Sequence, residues 1–378
     1  MNLRPAAMAA VLAALLFPSC QTPPATTPAP ASGEAAAVAP IPQGSLNDAA
    51  RFLAGMPGPA GSPLAAARQT THWNSHSRRM DELWRYFANY RQPAIGSFCR
   101  SELGWLRDVD TVWYPFSGPD ILFADAFFPR ANSFLLTGLE GCEMLPDLGT
   151  LSPQEIAAGL DGIETSITTV LSCSFFITKD MKTDLQRTRF RGTLPIILVF
   201  MARLGYSIDS VQPAAIDAAS VLTVGNATGN CPGYIVRARA GGRTKTVYYF
   251  SANLADYALR SDPRYLLFVS RFGGLVTYLK SASYLMHTSE FTMVRDAILR
   301  QSGGVLQDDS GIPISAFGEG AWEMRCYGRY TGVLDLFAEH YQPNLAEIYR
   351  SGGARDIDFG IGYKHRKGES SLILARRR

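Results

Sequence analysis

Three groups of residues in this 378-residue chain are of types that can do chemistry. Adjacent carboxylates at Asp308 and Asp309 split their pKa values or attract a hard divalent cation, as a general acid and base pair would. His287, on a polar segment after Ser281 and Ser283, titrates near neutral pH and is the best single general-base candidate. Ser117, Gly118 and Asp120 sit in a glycine turn, and an acid about 20 residues later, Glu140, suits a ribose hydroxyl pair. Asn253 closes a later strand with small polar residues and completes the ligand-binding set.

Each group also has a purely structural reading. Neighbours in a strand point to opposite faces, and an Asp before Ser-Gly is a turn former. A histidine beside Tyr284, Leu285 and Met286 suits packing, and Gly118 and Glu140 suit an ordinary turn and strand end. Ser281 and Ser283 lack the glycine-flanked elbow of a serine hydrolase, so no nucleophile is marked. His72 and His76 lie four apart, as two metal ligands on a helix do, but no third ligand is near and Trp73 fits packing. No metal is expected, and the sequence names no cofactor.

The elements that must hold these groups begin with residues 111–140. They read as a strand at 112–116, a Ser-Gly-Pro-Asp turn, an apolar helix closed by Pro129, and a strand at 133–139. Parallel strands joined by a crossover helix leave a crevice at their carboxyl ends, where Ser117, Gly118, Asp120 and Glu140 stand. Ser152, Pro153 and Glu155 mark a helix start, with the helix running to about 176 and a charged turn or helix over 178–185. Residues 194–204 read as a buried helix, 207–211 and 219–224 as strands, and 234–240 with 246–250 as a hairpin about Gly241-Gly242.

Strand then helix recurs: helix 263–272, strand 275–282, helix 291–299, strand 304–307, and 359–363 paired antiparallel with 371–375. The predicted class is α/β: a Rossmann-like, mostly parallel sheet over 106–378 with a C-terminal antiparallel hairpin, preceded by a helical region over 46–105.

The N-terminus reads as an address. Arg4 precedes an apolar run over 5–17, and Phe17-Pro18-Ser19-Cys20 resembles the lipobox of bacterial lipoproteins. That resemblance implies a signal peptide over 1–19, a lipidated Cys20, and membrane attachment through the lipid, facing the periplasm or the exterior. Residues 20–45, rich in Pro, Ala and Thr with Glu34 as the one charge, cannot bury enough apolar surface to order themselves and read as a tether. No later segment is apolar over the roughly 18 residues a span needs.

A net charge of +3 is too small to argue for nucleic acid, while 47% hydrophobic residues suffice for a sizeable core. Besides Cys20, the cysteines Cys99, Cys142, Cys173, Cys231 and Cys326 are odd in number and widely spaced. One or two disulfides are compatible with an oxidising compartment, and Cys173 reads as a buried thiol.

The layout over roughly 108–378 resembles that of class I S-adenosylmethionine-dependent methyltransferases. The resemblance implies that Ser117, Gly118 and Asp120 form the methionine-side loop, Glu140 the ribose acid, and residues 251–253 the site of catalytic polar groups. The family's glycine-rich loop is reduced here to Phe-Ser-Gly-Pro-Asp, and an exported chain has no cytosolic S-adenosylmethionine, so shared architecture is implied rather than methyl transfer. The segments YPFSGPD, KSASYLMH and LQDDSGIP resemble an uncharacterised family of bacterial predicted lipoproteins. Two functions follow as expectations: a binder of, or enzyme on, a polar small molecule, or a non-catalytic envelope scaffold for a protein or glycan partner.

Overall fold

Residues 111–114 are buried without a gap, the pattern of a strand covered on both faces, and they form the middle of the sheet. The computed structural model describes residues 43–106, 109–176, 185–225 and 231–378. The residues read as a signal peptide, Cys20, most of those read as a tether and most of the charged stretch after Phe176 lie outside the described residues.

The strands in chain order are β1 (Thr111–Tyr114), β2 (Ser133–Gly138), β3 (Ser207–Ile216), β4 (Leu222–Val224), β5 (Pro232–Ala240) and β6 (Arg243–Ser251). They continue with β7 (Leu275–Leu279), β8 (Gly304–Gln307), β9 (Trp322–Gly328), β10 (Ala354–Arg355) and β11 (Ser371–Arg377). All join one mixed sheet in the order β10-β9-β11-β8-β7-β1-β2-β6-β5-β3-β4. The run β8-β7-β1-β2-β6 is parallel throughout. Trp113, Leu135 and Tyr248 share one row across it, so the strands expected at 112–116 and 133–139 lie side by side, with β6 next to the second.

The β5–β6 hairpin turns on Gly241 and Gly242 at φ +56° and +77°, a tight loop that needs positive φ at both positions. The C-terminal hairpin is corrected. β11 is antiparallel, but its partners are β8 and β9, and residues 359–363 form no strand. Gly360 explains why: a Cβ there would lie 1.8 Å from the His365 carbonyl oxygen, because the chain folds back on itself in a tight loop. β9 and β10 were not foreseen.

Helices cover the sheet. Chain order gives α1 (Gln43–Leu53), α2 (Thr71–Tyr86), α3 (Gln92–Glu102), α4 (Ile121–Phe127), α5 (Pro153–Cys173) and α6 (Leu194–Arg203), then α7 (Asp256–Ser261), α8 (Arg264–Val269), α9 (Thr292–Gln301) and α10 (Pro343–Arg350). The N-terminal helices share one apolar core with the sheet, from Phe52 and Phe87 through Phe123 to Val247. α5 carries the expected capping box, with Ser152 and Glu155 each bonding the other's backbone N–H. Among the described residues no helix is long and apolar enough to cross a membrane. Cys99, Cys142, Cys173, Cys231 and Cys326 are all free, and Cys173 is buried as its apolar helix suggested.

α4 is buried along its whole length, yet it carries two acids. Asp120 at its start meets Lys280 at 2.6 Å, and Asp125 within it meets Lys245 at 3.2 Å. A tyrosine hydroxyl donates to each acid, Tyr114 to Asp120 and Tyr206 to Asp125. Burying α4 therefore depends on two lysines brought from distant strands, since an unpaired charge at this depth would cost several kcal/mol.

Candidate functional site

The carboxyl ends of β1, β2, β6 and β7 surround a cavity of about 210 Å³. It lies where the chain order divides, with β2 and β6 on one side of β1 and β7 and β8 on the other, the usual ligand crevice of such sheets. Ser117, Gly118, Asp120, Glu140 and Asn253 all line it. The five residues proposed for binding are thus brought together, although their roles differ.

Ser117 is a latch between strands. Its Oγ accepts from the Thr137 N–H at 2.9 Å, and the Ser117 and Gly118 N–H groups donate to the Thr137 carbonyl at 2.8 and 3.2 Å. The Asp120 N–H is taken by the Ser117 carbonyl, the Phe123 N–H by the Asp120 carboxylate, and Pro119 has none. The turn therefore keeps no free N–H groups to cradle an anion, and it does not fit the methionine-side role that the resemblance implied. Asn253 sits at the rim, accepting from the Ala255 N–H at 3.0 Å and donating to the Tyr257 hydroxyl at 2.6 Å.

Glu140 is different. Its carboxylate is buried with no Lys or Arg partner among the described residues, and its side-chain hydrogen bond comes from the Tyr249 hydroxyl at 3.2 Å. Room for it is made by glycine: a Cβ on Gly138 would lie 2.0 Å from Oε2, and one on Gly118 3.3 Å from Oε1. A carboxylate held inside a cavity wall with acceptor capacity left over is a recognition group for hydroxyl or cationic donors.

Lys280, which sequence reasoning missed, forms the floor. It follows β7, is 4% exposed, and places its ammonium between Asp120, the Ser174 carbonyl that ends α5, and the face of Phe123 at 3.9 Å. Burial lowers its pKa, and Asp120 opposes that. With three partners around it, Lys280 ties β7, α4 and α5 together beneath the cavity. The only sequence signal was a lone lysine directly after an apolar strand.

Comparison with protein-family models, curated proteins and solved structures finds no match. The site is therefore read from its geometry.

The wall beside Lys280 is strained. Ser281, Ser283 and Tyr284 have φ near +52°, and Phe116 across the cavity has φ +61°, conformations that cost non-glycine residues free energy. Asp308 fixes the turn by accepting from the Ser281 N–H at 2.8 Å and from Ser310, whose Oγ in turn accepts from the Ala282 N–H at 2.7 Å. Asp309 accepts from the Tyr284 hydroxyl at 2.5 Å and from Ser371 at 2.9 Å. Tyr363 bonds the Ser281 carbonyl and Ser283. The Ser281 Oγ is left buried without a partner in the cavity wall.

Of the residues expected to be catalytic, His287, Asp308 and Asp309, none lines the cavity. The two aspartates are buried behind it as clamps, and His287 packs against Tyr284 and His340. Among the described residues no histidine or cysteine reaches the lining, and its ionisable groups are Asp120, Glu140, Lys280 and the tyrosines Tyr114 and Tyr363. His72 is exposed and meets Asp161 at 3.1 Å, while His76 is buried and bonds the Leu53 carbonyl at 2.9 Å.

His287 still has a consequence. Burial first, and then His340, lower its pKa from 6.5 to about 4. Between those values the unfolded chain binds a proton that the folded chain refuses, so stability is full above about pH 6.5 and is lost as pH falls. At about 1.4 kcal/mol per pH unit the loss approaches 3 kcal/mol near pH 4. Asp308 and Asp309 act oppositely: burial raises both, so their folded forms hold protons more tightly and favour the fold on the acid side. His287→Phe should therefore lose less stability than the parent between about pH 6.5 and 4 in thermal melts. Parallel pH curves would refute this account of His287.

Proposed function

We propose that the chain is an exported, lipid-anchored protein of the bacterial envelope whose Rossmann-like α/β domain binds a polar small molecule at the strand ends. The observation that carries the binding reading is Glu140, a buried carboxylate without a cationic partner among the described residues, facing a cavity at the division of strand order. Aromatic walls at Phe116, Phe175, Phe291 and Phe337 add a surface for a flat or apolar ring. The ligand is hydroxyl-bearing and neutral or cationic, since the β1 turn has no donors left for an anion.

The methyltransferase-like layout is supported by the parallel run β6-β2-β1-β7-β8 and by β11 inserted antiparallel between β8 and β9. Methyl transfer is not part of the proposal, because the loop that would hold the methionine end is closed by its own hydrogen bonds. A second reading, a binding scaffold for a protein or glycan without catalysis, is favoured by one observation: His287, Asp308 and Asp309 stand away from the cavity.

The test is a thermal-shift panel of the protein against nucleosides, sugars and divalent metals. A native-state ligand at 100 times its Kd adds about 2.7 kcal/mol, enough to see. The expected hit is a hydroxyl-bearing compound whose shift disappears in Glu140→Gln; flat curves for every class would overturn the binding reading. The anchor has its own test. Cys20→Ser should move the protein from the membrane fraction to the soluble fraction of its host, and continued membrane attachment would contradict lipidation at Cys20.

A further inference from the structure

A second cavity, of about 580 Å³, lies between the C-terminal end of α2 and the loop over 358–367. Its distinctive feature is Arg91, which is 6% exposed and has no acidic partner among the described residues. Of its five N–H donors, one is satisfied among them by the Leu171 carbonyl at 3.2 Å, while the guanidinium stands over Tyr86 and Phe123. A buried cation without a counter-ion is costly, and an anion entering the cavity would remove that cost.

The neighbouring groups have the same sign. Arg366 and Lys367 line the cavity, and its one acid, Asp358, is already paired with Lys367. Arg366 has no ion pair among the described residues. The His365 Nδ1 is buried there without a hydrogen-bond partner, a donor or acceptor left over. At the mouth Tyr86 and Tyr90 are 57% and 67% exposed, with ring centroids 5.6 Å apart.

The segment Phe87–Arg91 is a turn of π-helix, the kind of irregularity that collects at functional sites. Phe87 and Arg91, four residues apart, face inward, while Tyr86 and Tyr90 remain outside. An undistorted helix would shift every residue after it by about 100° around the axis for each residue of register.

We propose that this cavity binds a phosphate monoester, its dianion between Arg91 and Arg366 and its organic part against Tyr86 and Tyr90. Two unpaired cations match a dianion, and two exposed aromatic rings match a sugar or aryl body. The source is either a soluble phosphate monoester or the monoester headgroup of phosphatidic acid, which share this chemistry.

Calorimetric titration of the protein with phenyl phosphate and with inorganic phosphate, at ionic strength matched by sodium chloride, tests the site. Phenyl phosphate should bind more tightly than inorganic phosphate, and Arg366→Ala should weaken it at least tenfold. Tyr90→Ala should reduce the difference between the two probes. Glu140→Gln, in the other cavity, should leave the titration unchanged. Because Arg91→Gln at a buried position can fail to fold, the exposed Arg366 and Tyr90 variants carry the test. Flotation with phosphatidic acid vesicles, competed by phenyl phosphate, would assign the site to a lipid headgroup; phenyl phosphate binding without flotation would assign it to a soluble ester. Heats no larger than those of the chloride control, or heats unchanged in Arg366→Ala, would overturn the proposal.

Discussion

Lys280→Ala should destabilise the protein by about 3–5 kcal/mol in denaturant titrations, because it leaves the Asp120 carboxylate buried and without its cation. Asp120 would retain the Tyr114 hydroxyl at 3.0 Å and the Phe123 N–H at 3.1 Å, which are too few donors for a charge that is 1% exposed. The Ser174 carbonyl at the end of α5 and the ring of Phe123 would lose the ammonium as well. Lys280→Met, which keeps the volume, should cost nearly as much, since the orphaned charge dominates over the lost packing. Adding Asp120→Asn to Lys280→Met should recover part of the loss, because asparagine still caps α4 and no ion remains unpaired. A loss under about 1 kcal/mol for Lys280→Ala would mean that the pair is solvated, as exposed pairs are.

Gly138→Ala makes the opposite separation, weakening binding with little change in stability. A Cβ at Gly138 would fall 2.0 Å from the Glu140 Oε2 and 3.0 Å from the Tyr249 hydroxyl. The carboxylate ends a rotatable side chain, so it can move aside, and the strand itself gains from alanine by up to about 1 kcal/mol. What is lost is the position of Glu140. Whatever hydroxyl-bearing compound stabilises the parent should bind the variant at least tenfold more weakly, about 1.4 kcal/mol, while the melting temperature without ligand stays close to that of the parent. Undiminished binding would show that Glu140 is not the recognition group.

Much of the sheet was legible in the sequence for a physical reason. β1, β2, β7 and β8 are short, largely apolar runs bounded by glycine, proline or polar clusters, which is what a strand buried on both faces requires, while β6 was legible as an arm of the glycine-turned hairpin. β9 was missed because Glu323 and Arg325 interrupt its hydrophobic pattern near the sheet edge, where solvent reaches one face. The partners of β11 were mistaken because pairing was assumed with the nearest segment. β8 lies more than 60 residues earlier, and no local pattern encodes that register.

The site was legible in its outline, since Ser117, Gly118, Asp120, Glu140 and Asn253 follow from where strands end. Lys280 was not, because its burial depends on Asp120, 160 positions away in the chain. The placement of His287 and Asp308 was not legible for a related reason: a polar residue after a strand looks the same in sequence whether it faces the cavity or clamps the turn behind it. The positive φ of Ser281, Ser283 and Tyr284 decides the matter, and it is a tertiary property.

The most direct test of the central claim is a hydrogen-exchange footprint of the best small-molecule hit. Ligand at the strand ends should slow exchange together in the segments over 114–118, 137–140, 252–254 and 280–283, which meet only at that cavity. Protection confined to any other part of the chain, with those four segments unchanged, would contradict it.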